Sequence, residues 1–222
     1  MKKAIIYLIG LIILMLAVPT VSAGSVVFSW QGSNICQNPN DPLITFEDGT
    51  DLLAITNQYS GVTFSIPAGG NWIYGDVING DWSYPTWWTN GNFFAVIDMY
   101  NPPNSNTGRI DFITPKNYVS VLVSTSQGVK MEAYDATNTL IDQTDDCPYT
   151  LNTNTMCQLT VSGTDIKYVL IHDDNDQWVI DDLCYGSTGG IPTPEFPSIF
   201  LPVTMIIGFL GAVLLIQRTR EK

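Results

Sequence analysis

The segment Val119-Ser120-Val121-Leu122-Val123-Ser124 reads as a β-strand. Its β-branched valines fall on alternate positions, so Val119, Val121 and Val123 share one face and Ser120, Leu122 and Ser124 the other. The same period recurs downstream. Val129, Met131 and Ala133 alternate with Lys130, Glu132 and Tyr134, and Ile166, Tyr168 and Leu170 alternate with Lys167, Val169 and Ile171. Further short runs of strand character go from Ser25 to Trp30, Leu43 to Phe46, Val62 to Ile66, Asn92 to Asp98, Arg109 to Ile113 and Gln177 to Tyr185. Turn signals punctuate them: Ala68-Gly69-Gly70, Asn79-Gly80-Asp81, Asn90-Gly91, Asn101-Pro102-Pro103-Asn104 and Ser162-Gly163-Thr164. No long helical period and no internal repeat appears between Gly24 and Gly186. Many short strands with this punctuation predict an all-β sandwich or barrel over 24–186.

The ends of the chain are different. Met1-Lys2-Lys3 precedes an uncharged run from Ala4 to Val18, and Val21-Ser22-Ala23 then offers small residues before Gly24. A basic start, an apolar stretch and a small-residue site predict a secretory signal over 1–23, cleaved after Ala23; an uncleaved N-terminal anchor is the alternative. Residues 187–193 read as a Gly/Pro linker. From Ile199 to Ile216 the chain carries no charge, and Arg218, Arg220 and Lys222 follow. Eighteen residues of helix just reach across a hydrocarbon core, and basic residues stay on the cytoplasmic side. The body of the protein is therefore expected outside.

The 222 residues carry a formal net charge of −12, with 45% hydrophobic and 14% charged residues. That balance excludes a disordered chain. Between Gly24 and Gly190 only Arg109, Lys116, Lys130 and Lys167 oppose nineteen acidic residues, so the exposed domain carries −15. Nucleic acid is not an expected partner, because phosphate recognition needs clustered Lys and Arg. The single histidine, His172, leaves little room for His-based catalysis or His-rich metal sites.

Four cysteines in an exported domain are expected to pair, and four allow three pairings. Cys147 and Cys157 enclose a polar, turn-rich loop, which leaves Cys36 with Cys184. Spacing favours this choice without excluding the other two. A zinc site is the rival, but short Cys-x-x-Cys spacing and a second His are absent.

Two resemblances to known families add to this reading. Pro194-Glu195-Phe196, an apolar span and a basic tail resemble the PEF-CTERM sorting signal of archaeal surface proteins, here residues 194–222. The resemblance implies processing by a membrane transpeptidase, an archaeosortase, with loss of the helix and transfer to a lipid-type anchor. A span that is kept is the alternative; either way the domain is held on the membrane's outer face. Ile44-Thr45-Phe46-Glu47-Asp48 with Ile55 to Phe64, then Phe112-Ile113-Thr114-Pro115, Ala133-Tyr134-Asp135 and Ile180-Asp181-Asp182-Leu183, resemble the jelly-roll modules of sorted surface proteins. This implies a single jelly-roll-like, carbohydrate-binding-like ectodomain with no defined common activity.

Three candidate sites follow. In jelly rolls the first and last strands are neighbours, which would bring Glu47 and Asp48 to Asp181 and Asp182; clustered carboxylates suit a structural Ca²⁺. Asp173-Asp174-Asn175-Asp176 is a second calcium candidate. Trp72, Tyr74, Trp82, Tyr84, Trp87 and Trp88 crowd into seventeen residues. Trp72, Trp82, Trp87 and Trp88 are read as platforms for envelope glycans, with core packing as the alternative. For catalysis, His172-Asp173 is half of a triad without a nucleophile elbow, and Glu47 and Glu132 are the sole Glu residues of the domain, with no pairing between them to read. The expectation is a non-enzymatic surface protein that contacts envelope glycans; a calcium-dependent coat component and, last, a secreted glycoside hydrolase are the alternatives.

Overall fold

The computed structural model describes residues 22–29, 34–77, 91–97, 106–150, 155–173 and 178–186. All of these belong to one unit, residues 1–189. The expected signal sequence up to Val21, the linker, the Pro194-Glu195-Phe196 motif and the apolar span 199–216 lie outside them. Among the described residues no helix is long and apolar enough to cross a membrane.

The regular elements are all strands: β1 (Ser22–Ala23), β2 (Ser25–Ser29), β3 (Leu43–Ile44), β4 (Ala54–Ile55), β5 (Val62–Ser65), β6 (Trp72–Asp76), β7 (Phe93–Ile97), β8 (Thr107–Thr125), β9 (Val129–Tyr134), β10 (Leu140–Gln143), β11 (Met156–Asp173) and β12 (Trp178–Gly186). Their hydrogen-bonded order is β1-β10-β9-β11-β8-β12-β7-β6-β4, with β2 on β11, β3 on β12 and β5 on β8. All pairs are antiparallel except β1 with β10.

The long strands β8 and β11 organise this sheet. They pair with each other from Thr107↔His172 to Val123↔Cys157, and each changes its second partner half-way. The first half of β8 holds β5, and the second half holds β12. The first half of β11 holds β2, and the second half holds β9. Both halves feed one core. Val119, Val121, Val123, Leu159, Ile180 and Leu183 pack in the same cluster as Phe64, Ile110, Phe112, Met131, Val169 and Ile171. A sheet whose two halves face one core is consistent with a β-sandwich.

The fold-over shows in the side-chain phase. On β8 the core positions are even at Ile110 and Phe112 but odd at Val119, Val121 and Val123. Register breaks separate them: four β8 residues, 112–115, stand against the single β11 residue Lys167. Pro115 sits in this break, where a missing N–H costs no ladder bond. The Lys167 ammonium donates to the carbonyls of Phe112 and Ile113, at 2.5 and 3.1 Å, and so satisfies oxygens the break leaves over. β12 shifts phase in the same way between Asp181 and Leu183, where Asp182 adopts φ 45°. Its core positions run Trp178, Ile180, then Leu183 and Tyr185.

The alternation read at Val119–Ser124 holds, but both faces are buried. Tyr118, Leu122 and Cys184 form a second cluster with Ile35 and Met156. The 34–41 segment is fastened over that face. Cys36 is bonded to Cys184, Tyr118 Oη donates to Asp41 Oδ2, and the Gln37 N–H donates to Tyr118 Oη at 3.1 Å. Burial and the Asp41 carboxylate push the Tyr118 hydroxyl up to about 12. Cys147 is bonded to Cys157, so both disulfides are those favoured by spacing.

The strand segments β4, β6 and β10 are absent from the sequence reading, and Ser162-Gly163-Thr164, read there as a turn between strands, lies within β11.

Closing 148 residues by Cys36–Cys184 and 10 by Cys147–Cys157 removes about 5 and about 2.7 kcal/mol of chain entropy from the unfolded state. The Cys36→Ala/Cys184→Ala pair of substitutions is therefore expected to lower stability more than Cys147→Ala/Cys157→Ala, measured as urea unfolding midpoints of the two variants.

Candidate functional site

The expected carboxylate cluster does not assemble. β3 and β12 are neighbours, as the first and last strands should be, with Ile44 opposite Leu183. Past Phe46, held at φ 61°, the chain turns away. Glu47 accepts the N–H groups of Asn92 and Phe93 at 2.9–3.0 Å, capping the entry to β7. A Cβ at Gly91 would lie 2.3 Å from Glu47 Oε1, so glycine is required beneath this carboxylate. Asp48 accepts from Tyr59 Oη at 2.6 Å. Asp181 and Asp182 are buried at the β12 bulge, where the Asp182 N–H donates to Asp181 Oδ1 at 2.8 Å. Among the described residues no three His, Cys, Asp or Glu side chains are grouped to hold a metal ion. Residues 174–176 of the second calcium candidate are outside the described residues.

The aromatic reading needs a correction at Trp72. Its ring is fully buried, edge-on to Phe64 and Trp178, and its Nε1–H donates to the Ser65 carbonyl at 2.9 Å. Tyr74 is buried as well. On β6 both faces are covered, so Trp72 offers no platform to a sugar; its burial follows from the large apolar area it removes from water. Trp82, Trp87 and Trp88 lie outside the described residues.

A different group of side chains lies together on the outward face of β5, β8, β11 and β9. Three cross-strand rows build it. Thr107, His172 and Lys130 form one, Arg109, Leu170 and Glu132 the next, and Asp111, Tyr168 and Tyr134 the third. β5 extends two of them with Ser65 beside Arg109 and Thr63 beside Asp111. Tyr168 and Tyr134 stack with ring centroids 5.0 Å apart and planes 10° from parallel. The Arg109 guanidinium lies 3.7 Å from the Tyr168 ring centroid and grips Asp111 through Nε at 2.8 Å and a terminal nitrogen at 2.6 Å. Tyr168 Oη donates to Asn138 Oδ1 at 3.0 Å.

Glu132 gathers the other side. Tyr134 Oη donates to it at 2.7 Å, the Lys130 ammonium lies at 3.2 Å and His172 Nε2 at 3.4 Å. Burial alone would raise the Glu132 carboxyl; the Tyr134 hydroxyl, Lys130 and His172 outweigh it and hold the group below the ordinary carboxylate range. Burial and the same carboxylate raise the Tyr134 hydroxyl.

The break in β11 creates this face. An unbroken strand would place Tyr168 and Leu170 with Ile166, as the sequence alternation suggested. The shift between Ile166 and Tyr168 leaves Ile166 inside and brings Val169 and Ile171 into the core, so Tyr168, Leu170 and His172 take the outer side. The sequence signal for the site was the polar set Lys130, Glu132 and Tyr134, which alternates with buried residues. What it could not show was which residues of β8 and β11 stand opposite.

No family model and no curated protein matches this chain. Among solved structures it is similar to the enzymatically active domain of tailspike protein 4 of bacteriophage CBA120, with 11% identity over 61% of this chain and 21% of that one and a TM-score of 0.33. A likeness of that size carries no argument about activity.

Because Glu132 is held below its usual value of 4.5 in the folded protein, its contribution to stability is present above that pH and is lost as pH falls through the folded value. Urea unfolding should therefore show Glu132→Gln less stable than wild type at pH 7, with the difference closing as the pH falls below 4.5. A difference that stays constant with pH would contradict the assignment.

Proposed function

We propose that this chain is an exported, surface-held, non-enzymatic protein whose jelly-roll-type sandwich contacts envelope glycans through the outward face of β5, β8, β11 and β9. One observation carries the proposal: the stacked Arg109–Tyr168–Tyr134 array beside Glu132, Lys130 and His172. Sugars present C–H faces to aromatic rings and hydroxyls to charged and amide groups, and this face supplies both kinds of partner in a sheet whose backbone is already ordered. Preorganisation of that kind lowers the cost of binding. Aromatic duty shifts here from the buried Trp72 to Tyr134, which is partly exposed and stacks on the buried Tyr168 beneath it.

Binding rather than catalysis is supported by how the carboxylates are used. Glycoside hydrolysis calls for a protonated acid beside an ionised partner. Glu132 is held ionised by three neighbours, and Asp111 is engaged with Arg109. Export is supported by the two disulfides and by the −15 charge of the domain. The C-terminal sorting signal, with its archaeosortase and its anchor in the membrane, belongs to the same proposal. Intact mass of the protein from native membranes reads the processing of both ends and the two disulfides together.

On immobilised envelope polysaccharide, Tyr134→Ala and Arg109→Gln should each weaken retention about fivefold, in line with the ~1 kcal/mol of an aromatic or cation–π contact. Leu53→Ser, on another face, should not change it. Wild-type retention in both face variants would overturn the proposal.

A further inference from the structure

A buried carboxylate lies where the chain enters the sheet. Asp142, on β10, is 1% exposed. It accepts the Gln143 N–H at 2.9 Å and the Ser162 N–H at 2.7 Å, and the backbone N–H of Gly24 faces the same carboxylate. Among the described residues no Lys, Arg or His forms an ion pair with it. Burial therefore outweighs the backbone donors and holds its carboxyl above the ordinary range.

Gly24 is fitted closely into this place. Its N–H donates to the Gln143 carbonyl at 2.8 Å, and a Cβ on it would come within 2.9 Å of the Thr160 and Gln143 carbonyl oxygens. The two residues before it, Ser22 and Ala23, lie parallel to Asp142 and Gln143. The bond predicted for signal cleavage, Ala23–Gly24, is thus attached to a nitrogen that faces two acceptors, the Gln143 carbonyl and the buried Asp142 carboxylate. One N–H is too few donors for such a set. An ammonium has three.

We propose that Gly24 is the mature N-terminus and that its α-ammonium docks at this seam as the counter-ion of Asp142. In the processing step a signal peptidase adds water across the Ala23–Gly24 peptide bond. The hydroxyl goes to the Ala23 carbonyl, the hydrogen goes to the Gly24 nitrogen, and a further proton from solvent makes that nitrogen an ammonium at neutral pH. The bond to Gln143 is kept. The added donors turn to Asp142, so a buried charge that had backbone partners alone gains a full positive charge. Cleavage removes the short β1 pairing and replaces it with an ion pair at the same place. This rests on the export reading and is independent of glycan binding.

The full chain, produced in a secreting host, tests the proposal by N-terminal sequencing and by competitive labelling of amines in the folded state and in urea. The expected result is a chain that begins at Gly24 and whose α-amine labels at least tenfold more slowly when folded. Asp142→Asn should abolish most of that protection; if this variant fails to fold, the wild-type labelling alone decides. A Gly24 amine that labels equally fast in both states overturns the docking while leaving export intact. A chain that still begins at Met1 overturns both.

Discussion

The pairing of β8 with β11 is the constraint on which the rest depends. Two strands of 19 and 18 residues cannot lie flat in a sandwich of this size. A strand advances about 3.3 Å per residue, so either would run about 60 Å if straight. They stay paired by breaking register together, at 112–116 on β8 and 162–168 on β11. The breaks let one ladder contribute to both layers, and they reverse which residues face inward. β2, β5, β9 and β12 attach directly to one half or the other, and the remaining strands add on beyond them. The interior that results is made by large side chains from both halves, among them Phe46, Phe112, Ile166 and Trp72, all fully buried. Each such burial contributes about 2 kcal/mol or more against the ordering entropy of the chain.

Corners and loops of such a fold expose backbone groups, and short-range polar contacts satisfy them. Lys167 takes the carbonyls left over at the β8 break. Glu47 takes two N–H groups at the start of β7. Asp135 receives the N–H groups of Thr137 and Thr139 in the β9–β10 hairpin, where Asn138 sits at φ 63°. These are the residue types of the motifs that resemble sorted surface modules. Phe112-Ile113-Thr114-Pro115 is the corner of β8, Ala133-Tyr134-Asp135 ends β9 in its hairpin, and Ile180-Asp181-Asp182-Leu183 is the bulge of β12. Glu47, Asp48, Asp181 and Asp182 read from the sequence as ligands for an ion; in the fold Glu47 and Asp48 accept hydrogen bonds from named donors elsewhere in the chain. A carboxylate that caps a loop and one that waits for calcium look the same in a sequence, because both stand in polar, glycine-rich surroundings.

What was legible in the sequence was what depends on local period and on counting. β9 alternates as written, with Val129, Met131 and Ala133 buried and Lys130, Glu132 and Tyr134 only partly so. The cysteine pairs are the ones that spacing favoured among three possible pairings. What was not legible depends on partners distant along the chain. Tyr168 lies on the outer face because β11 slips by a residue against β8, and nothing within Ile166–Leu170 announces a slip. Trp72 is a core residue because β4, β7 and the β12 residue Trp178 close around β6. An aromatic-rich stretch carries no sign of which side its neighbours will cover. The candidate face was missed for the same reason: its members come from positions 63 to 172, and only the sheet register assembles them.

The charge of the domain gives that face its meaning. Arg109 and Lys130 stand there against Asp111 and Glu132, while elsewhere between Gly24 and Gly190 Lys116 and Lys167 stand against seventeen acidic residues. The two ion pairs therefore balance within this face. A surface so acidic keeps neighbouring copies apart and discourages contact with other anionic polymers of an envelope. A locally balanced patch is where approach costs least. These ion pairs are only partly exposed, and Glu132 contributes to stability where it is ionised. Their geometry is specific, since one guanidinium both grips Asp111 and covers Tyr168, and one carboxylate collects a hydroxyl, an ammonium and an imidazole. The fold is already secured by its core and two disulfides. The groups that the proposed face would present to a partner are thus the same ones that tie its strands together.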